Sequence, residues 1–284
     1  CLGTTQAAKA RLALAAIQLP CLGLLFTDKL LPAPADLRGS PLPRPTGAFH
    51  PMQGLPGNRR RIYLMRHAQV SYFDASGNPY DPRSVPLTPA GRDQARAAAD
   101  MLRDIPFDVA LCSGLARTVE TARIVLGERS LPLAEEHRLK EVRAGRLREI
   151  PPEHQEREIA YAYETAHDPD GAFIRGEPWR ELATRVHAAW NDLLSRDDWR
   201  TALVVAHDGV NRVLLTHVIG ADIAAIKAFE QDPACVNIIE VDLNAGRLER
   251  AFLRAVNIAP YNLTRHDEPL MVMEKIYRDY RARG

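Results

Sequence analysis

The chain has 284 residues, 46% of them hydrophobic, with 37 Lys and Arg against 36 Asp and Glu and a formal net charge of +1. That balance suits one globular domain with an extension and argues against a nucleic-acid binder, which needs a basic excess. Four cysteines, Cys1, Cys21, Cys112 and Cys235, show no metal-ligand spacing, and the last two fall in apolar strand-like runs where reduced buried thiols are expected.

Residues 1–57 differ in kind from the rest. The chain starts at Cys1, runs through an apolar stretch from Leu12 to Phe26 broken by Gln18 and Pro20, and continues into a Pro-rich segment from Leu31 to Pro56. Lys9 and Arg11 ahead of the apolar stretch and Ala33-Pro34-Ala35 beyond it resemble a secretory signal. Asp28 and Lys29 intervene, however, and the stretch is too short to span a bilayer. A translated upstream region with the start at Met52 is another reading. A dispensable, mostly disordered extension is favoured, because Pro-rich sequence buries too little apolar area to offset its ordering entropy. Cytoplasmic residence is then expected, with export the alternative if residues 1–35 act as a signal.

From Arg61 onward, strands and helices alternate. Ile62-Tyr63-Leu64-Met65 reads as a strand ending in Arg66-His67-Ala68. Thr88 can cap a helix with Pro89 at its first position and an apolar face of Ala95, Ala98, Ala99 and Leu102, running to Ile105. Phe107 to Cys112 is the second strand and Leu115 to Leu126 the second helix. An insertion at about 146–178 follows Glu141 and contains a predicted helix over Pro151 to Thr165. Trp179 to Leu194 is a long amphipathic helix, and Thr201 to Ala206 a buried strand ending in His207-Asp208-Gly209. Cys235 to Leu243 and Arg247 to Ala255 pair as a hairpin through Asn244-Ala245-Gly246, and Pro269 to Arg283 forms a short exposed helix. The expected fold is a three-layer α/β/α sandwich around a mixed, mostly parallel sheet.

Chemistry gathers at the strand ends. Arg66-His67 brings an imidazole and a fixed positive charge to the carboxyl edge of the sheet, where open α/β folds place their sites. Arg117 lies in the first turn of a helix that starts at the same edge, where free N–H groups, the helix dipole and a planar guanidinium all favour an anion. His207 is a second strand-end histidine. Glu141 lies shortly before Gly145 in a charged stretch.

The chain resembles the histidine phosphatase superfamily, in the branch that contains cofactor-dependent phosphoglycerate mutases. The resemblance rests on Arg66-His67-Ala68, Leu87-Thr88-Pro89-Ala90-Gly91, the run Ser113 to Ala122, Glu141 with Gly145, and His207-Asp208-Gly209, in the family's order. It extends from about Arg61 to about Tyr261. Ala68 stands where the family has glycine, and Asp208 separates the late histidine from its glycine. The resemblance implies that neutral His67 attacks phosphorus and becomes a phosphohistidine, while Arg66, Arg117 and protonated His207 surround the phosphoryl oxygens, with Ser113 also among the substrate-binding groups. It implies Glu141 as general acid and base, with Asp208, which resembles the acid of the phytase branch, as its rival. No metal or cofactor is called for.

The expected partner is a small-molecule phosphate ester, with neither nucleic acid nor a stable membrane association, and a homodimer is compatible with the sequence. The insertion should roof the site, its Arg146, Arg148, His154, Arg157, Tyr161, Tyr163 and Arg175 either meeting a further phosphate or solvating a helix. Tyr72, Phe73 and Tyr80 form another wall. The run Gln231 to Asn237 resembles α-ribazole phosphatase and broad-specificity phosphatases more than the mutases. Hydrolysis is therefore favoured, with a phosphoglycerate-type mutase and a non-catalytic phospho-ligand binding module as alternatives.

Overall fold

The computed structural model describes residues 57–72, 80–81 and 83–282. The expected extension therefore lies almost wholly outside the described residues, as does Phe73. Six strands form one sheet in the order β3-β2-β4-β1-β5-β6: β1 is Arg59–Arg66, β2 Val109–Cys112, β3 Leu133–Glu135, β4 Thr201–Ala206, β5 Val236–Asn244 and β6 Arg247–Ile258. β1 to β4 run parallel, and β5 and β6 add an antiparallel edge.

The two central strands explain the layers. Ile62 and Leu64 of β1, with Ala202 and Val204 of β4, join the core under helices α3 (Trp179–Ser195) and α4 (Asp208–Val218). Tyr63, Met65, Leu203 and Val205 point the other way, into a core shared with α1 (Pro89–Met101) and α2 (Ala116–Leu126). Alternating residues thus serve opposite faces, and helices on both faces make the strands apolar throughout. This is the three-layer fold expected from the sequence.

Local signals operate as read at several ends. Thr88 Oγ1 accepts from Gly91 N at 2.9 Å and Pro89 opens α1, which ends at Met101, before Ile105. Ala245 and Gly246, with φ of 47° and 75°, turn the β5–β6 hairpin. Cys112 and Cys235 are free and buried.

Two expectations need correction, and one strand is added to those expected. The insertion holds no continuous helix over Pro151 to Thr165. It forms a 3-10 turn at Pro152–His154, a wide π turn at Glu156–Ala160 and a second 3-10 segment at Ala162–His167, with the break at Tyr161 (φ −111°, ψ 31°). The widened turn lets the adjacent Ile159 and Ala160 both be buried, while Tyr163 stacks near Phe173 and Trp179. Second, the C-terminal helix α5 (Val272–Arg281) is exposed on one side only: Val272 and Met273 are buried, and Tyr277 and Tyr280 pack on the larger core. The added strand is β3, which was not foreseen, since three residues are too few for a period to show.

Candidate active site

Register places the two histidines together. β1 and β4 pair in parallel with Arg66 opposite Ala206, so the next residues, His67 and His207, leave neighbouring strands at one level. Their rings lie 5.2 Å apart at 65°. His67 is 3% exposed and His207 fully buried. His67 Nδ1 lies 2.8 Å from the Ala68 carbonyl oxygen. A carbonyl can only accept, so Nδ1 carries the proton and Nε2 keeps its lone pair. Burial, followed by the charges of Arg117 and Arg66, holds the ring well below the usual 6.5, so it is neutral.

Arg66 and Arg117 are 8% and 4% exposed. Arg66 donates through Nη1 to the Gln231 carbonyl at 2.6 Å, and Gln231 is braced by Asn237, whose Nδ2 reaches both Gln231 Oε1 at 2.7 Å and the Leu64 carbonyl at 3.0 Å. The run Gln231 to Asn237 is thus the floor beneath Arg66. Arg117 sits in the first turn of α2, next to the donors of that helix end.

Ser113, expected among the substrate-binding groups, is fully buried. Its Oγ lies 2.8 Å from His207 Nε2 and 3.0 Å from Thr118 Oγ1, and Thr118 in turn donates to the Leu115 carbonyl at 2.8 Å. The Ser113 proton therefore goes to Thr118 or to His207. In the second case His207 presents an N–H at Nδ1, which is buried and has no hydrogen-bond partner. Burial, then His67, Arg117 and Arg66, push His207 well below 6.5, so the protein's own groups do not keep it protonated as expected from the sequence.

Glu141 lies over the start of α4, where its Oε1 accepts from Val142 N at 2.9 Å and Gly209 N at 3.2 Å. Burial and the Asp208 charge raise its pKa from 4.5, against the Val142 hydrogen bond and the charges of Arg66 and Arg117. Two residues that the sequence reading missed hold its segment. Arg185 of α3 donates to the carbonyls of Arg138, Lys140 and Glu141 at 2.6, 2.6 and 3.2 Å, and to both oxygens of the buried Glu177. Gly145 is required because a Cβ there would lie 2.6 Å from the Ile174 carbonyl. No sequence signal joins Glu177 and Arg185 to Glu141 across the insertion.

Asp208 is 3% exposed, and its Oδ1 accepts from Arg212 Nε at 2.6 Å. The insertion's cations are not brought to the site: Arg146 pairs with Glu149, Arg175 with Glu158, and Arg148, Arg157 and His154 are exposed. Tyr161, Tyr72 and Tyr80 are also exposed. Among the described residues no three His, Cys, Asp or Glu side chains form a cluster that could hold a metal ion, and no helix is long and apolar enough to cross a membrane.

Paired strand-end histidines flanked by buried arginines, at the carboxyl edge of this sheet, define a phosphoryl-handling α/β protein. The chain belongs to the histidine phosphatase superfamily (branch 1), whose profile matches residues 62–253. It is 28% identical over 204 residues to the adenosylcobalamin/α-ribazole phosphatase of Escherichia coli (strain K12), covering 70% of this chain and 98% of that protein. It is also 28% identical to the 2-carboxy-D-arabinitol-1-phosphatase of Triticum aestivum, covering 71% of this chain and 41% of the longer wheat protein. Among solved structures, the α-ribazole phosphatase from Shigella flexneri superposes with a TM-score of 0.55 at 28% identity, covering 69% of this chain and 96% of that one. Family membership and phosphatase relatives together support phosphatase activity.

Proposed function

We propose that the protein is a phosphomonoester hydrolase that works through a phosphohistidine on His67. The observation that carries this reading is the bond from His67 Nδ1 to the Ala68 carbonyl, which leaves Nε2 as the one ring nitrogen able to attack. Nε2 displaces the ester oxygen at phosphorus, and Glu141 gives that oxygen its proton. Glu141, now ionised, takes a proton from water as the water attacks the phosphohistidine, which releases phosphate and restores neutral His67. Arg66, Arg117 and the Nδ1 proton of His207 stabilise charge spread over the three equatorial oxygens, without reorganising as the charge develops. A bound phosphate dianion also favours the protonated form of Glu141.

The electrostatic task is met by cationic side chains and imidazole, so the reaction runs without a metal ion. The substrate is a small phosphorylated metabolite, a class that takes in the α-ribazole and 2-carboxy-D-arabinitol phosphates for which the relatives are named. The test is a panel of phosphomonoesters and p-nitrophenyl phosphate, assayed with chelator present. Turnover by the natural chain and none by His67→Ala is expected. Turnover that needs an added divalent ion, or that survives His67→Ala, contradicts the reading.

A further inference from the structure

Asp208 lies between the late histidine and the glycine of the family pattern, and its surroundings give it a task of its own. It is the first residue of α4, directly after His207, and it is 3% exposed. Its Oδ2 is buried without a hydrogen-bond partner, while Oδ1 is tied to Arg212 one helical turn later. Arg212 has further partners. Nη1 donates to the Ile226 carbonyl at 3.3 Å, Nη2 to Glu230 Oε2 at 3.3 Å, and the guanidinium lies 4.2 Å from the centre of the Tyr163 ring. Glu230 is fixed in turn by Val272 N, at the start of α5.

A carboxylate with an unmet oxygen is costly to bury, and one ion pair with Arg212 offsets only part of that cost. Glu141 accepts a hydrogen bond from Gly209 N, the residue next to Asp208, so two acidic side chains share the first turn of one helix. Asp208 is bonded to a guanidinium, whereas the bonds to the Glu141 carboxyl come from backbone N–H groups.

We propose that Asp208, anchored by Arg212, is a positioning residue that keeps the proton on Glu141 for the first chemical step. It does not touch substrate and is not the acid. The proposal rests on the phosphohydrolase reading above. Charged and titratable groups face Glu141 from every side: Arg66 from β1, Arg117 from α2, Arg185 from α3, Asp208 from α4 and Tyr163 from the insertion. The Asp208 charge acts on Glu141 in the same direction as burial.

The test compares pH profiles of kcat/KM for an alkyl phosphate, whose leaving group needs an acid, and for p-nitrophenyl phosphate, which hardly does. The chains are the natural one, Glu141→Gln, Asp208→Asn and Asp208→Asn with Arg212→Met. With Asp208→Asn the descending limb for the alkyl phosphate should move to lower pH by about one unit, a tenfold loss at a fixed pH on that limb, with the p-nitrophenyl phosphate rate changed far less. The double variant removes both charges of the buried pair. It should move the limb in the same direction but by less, because loss of the Arg212 charge offsets part of the change, and it keeps the test open even if the single variant folds poorly, since a buried pair can be replaced by uncharged groups more safely than broken. An unmoved limb in both variants overturns the proposal. So does loss of alkyl phosphate hydrolysis at every pH in Asp208→Asn while Glu141→Gln stays active, which would make Asp208 the acid. If the natural chain turns over neither substrate, it is the phosphohydrolase reading that has failed.

Discussion

His67 and His207 follow paired positions, Arg66 and Ala206, of two adjacent parallel strands, and their rings meet 5.2 Å apart. The His67 ring is oriented by its bond to a carbonyl, and the His207 ring by its bond to Ser113. Replacing Ser113 by alanine leaves the pocket intact but removes the group that orients His207. The net worth of such a hydrogen bond, about 0.5–1.5 kcal/mol, predicts a loss of up to about tenfold in kcat. His207→Ala should cost about 10²–10³, the scale for one transition-state donor. Steady-state kinetics on both variants checks the order, and equal losses would contradict it.

The arginines should be separable from the nucleophile. Arg66→Ala or Arg117→Ala each should lose on the order of 10²–10³ in kcat/KM, and Arg117→Lys should recover little, because an ammonium cannot reproduce the planar fork. Arg117 also helps to hold His67 neutral. Its removal should therefore move the acidic limb of the pH profile to higher pH as His67 becomes easier to protonate. A pH-independent loss would place Arg117 outside the site.

The pH profile follows from two opposite shifts. Attack requires His67 unprotonated, a form present above its pKa, which lies well below 6.5. Leaving-group protonation requires Glu141 protonated, a form present below its pKa, which lies above 4.5. Undisturbed groups would leave only about 1% of molecules in the required combination, and the two shifts widen that window from both ends. The profile of kcat/KM should be bell-shaped, with its acidic limb below pH 6.5 and its descending limb above pH 4.5. Stability changes in parallel: His67 and His207 resist protons that the unfolded chain binds, so stability is full above about pH 6.5 and declines as pH falls below it. Denaturant titrations across pH 4–8 read this directly, and stability that rises on acidification would count against it.

Much of this site could be read from the amino-acid sequence, because four of its parts sit where an apolar run ends or a helix begins. His67, His207 and Arg117 are positioned by the strands and helix they adjoin, so local pattern sufficed. The bond from Ser113 to His207 was not legible, since a residue type says nothing about which way its hydroxyl turns. Glu141 was harder, in a charged stretch without periodicity, and its supports Glu177 and Arg185 are distant in sequence. Arg212 lies four residues after Asp208 on one helix face, a spacing that was legible and not used. The broken turns of the insertion arise from packing against Phe173, Trp179 and α5, contacts that no local pattern shows.

The clamp on Glu141 gives a stability prediction. Glu177 has 1% of its side chain exposed and pairs with Arg185 at 2.8 Å. Glu177→Gln breaks that buried pair and should destabilise the fold by about 3–5 kcal/mol, seen as a lower denaturation midpoint. Activity per folded molecule should also fall for alkyl phosphates, because the Glu141 segment is released. A midpoint within error of the natural chain would show that the carbonyl clamp does not need its carboxylate.

The most direct measurement is rapid acid-free quench of the protein with ³²P-labelled substrate, followed by peptide mapping. Label that is stable to base, labile to acid and located on His67, absent in His67→Ala, is the predicted result. Turnover of the same substrate with no labelled protein at any time, or with label on another residue, would contradict a covalent route through this imidazole.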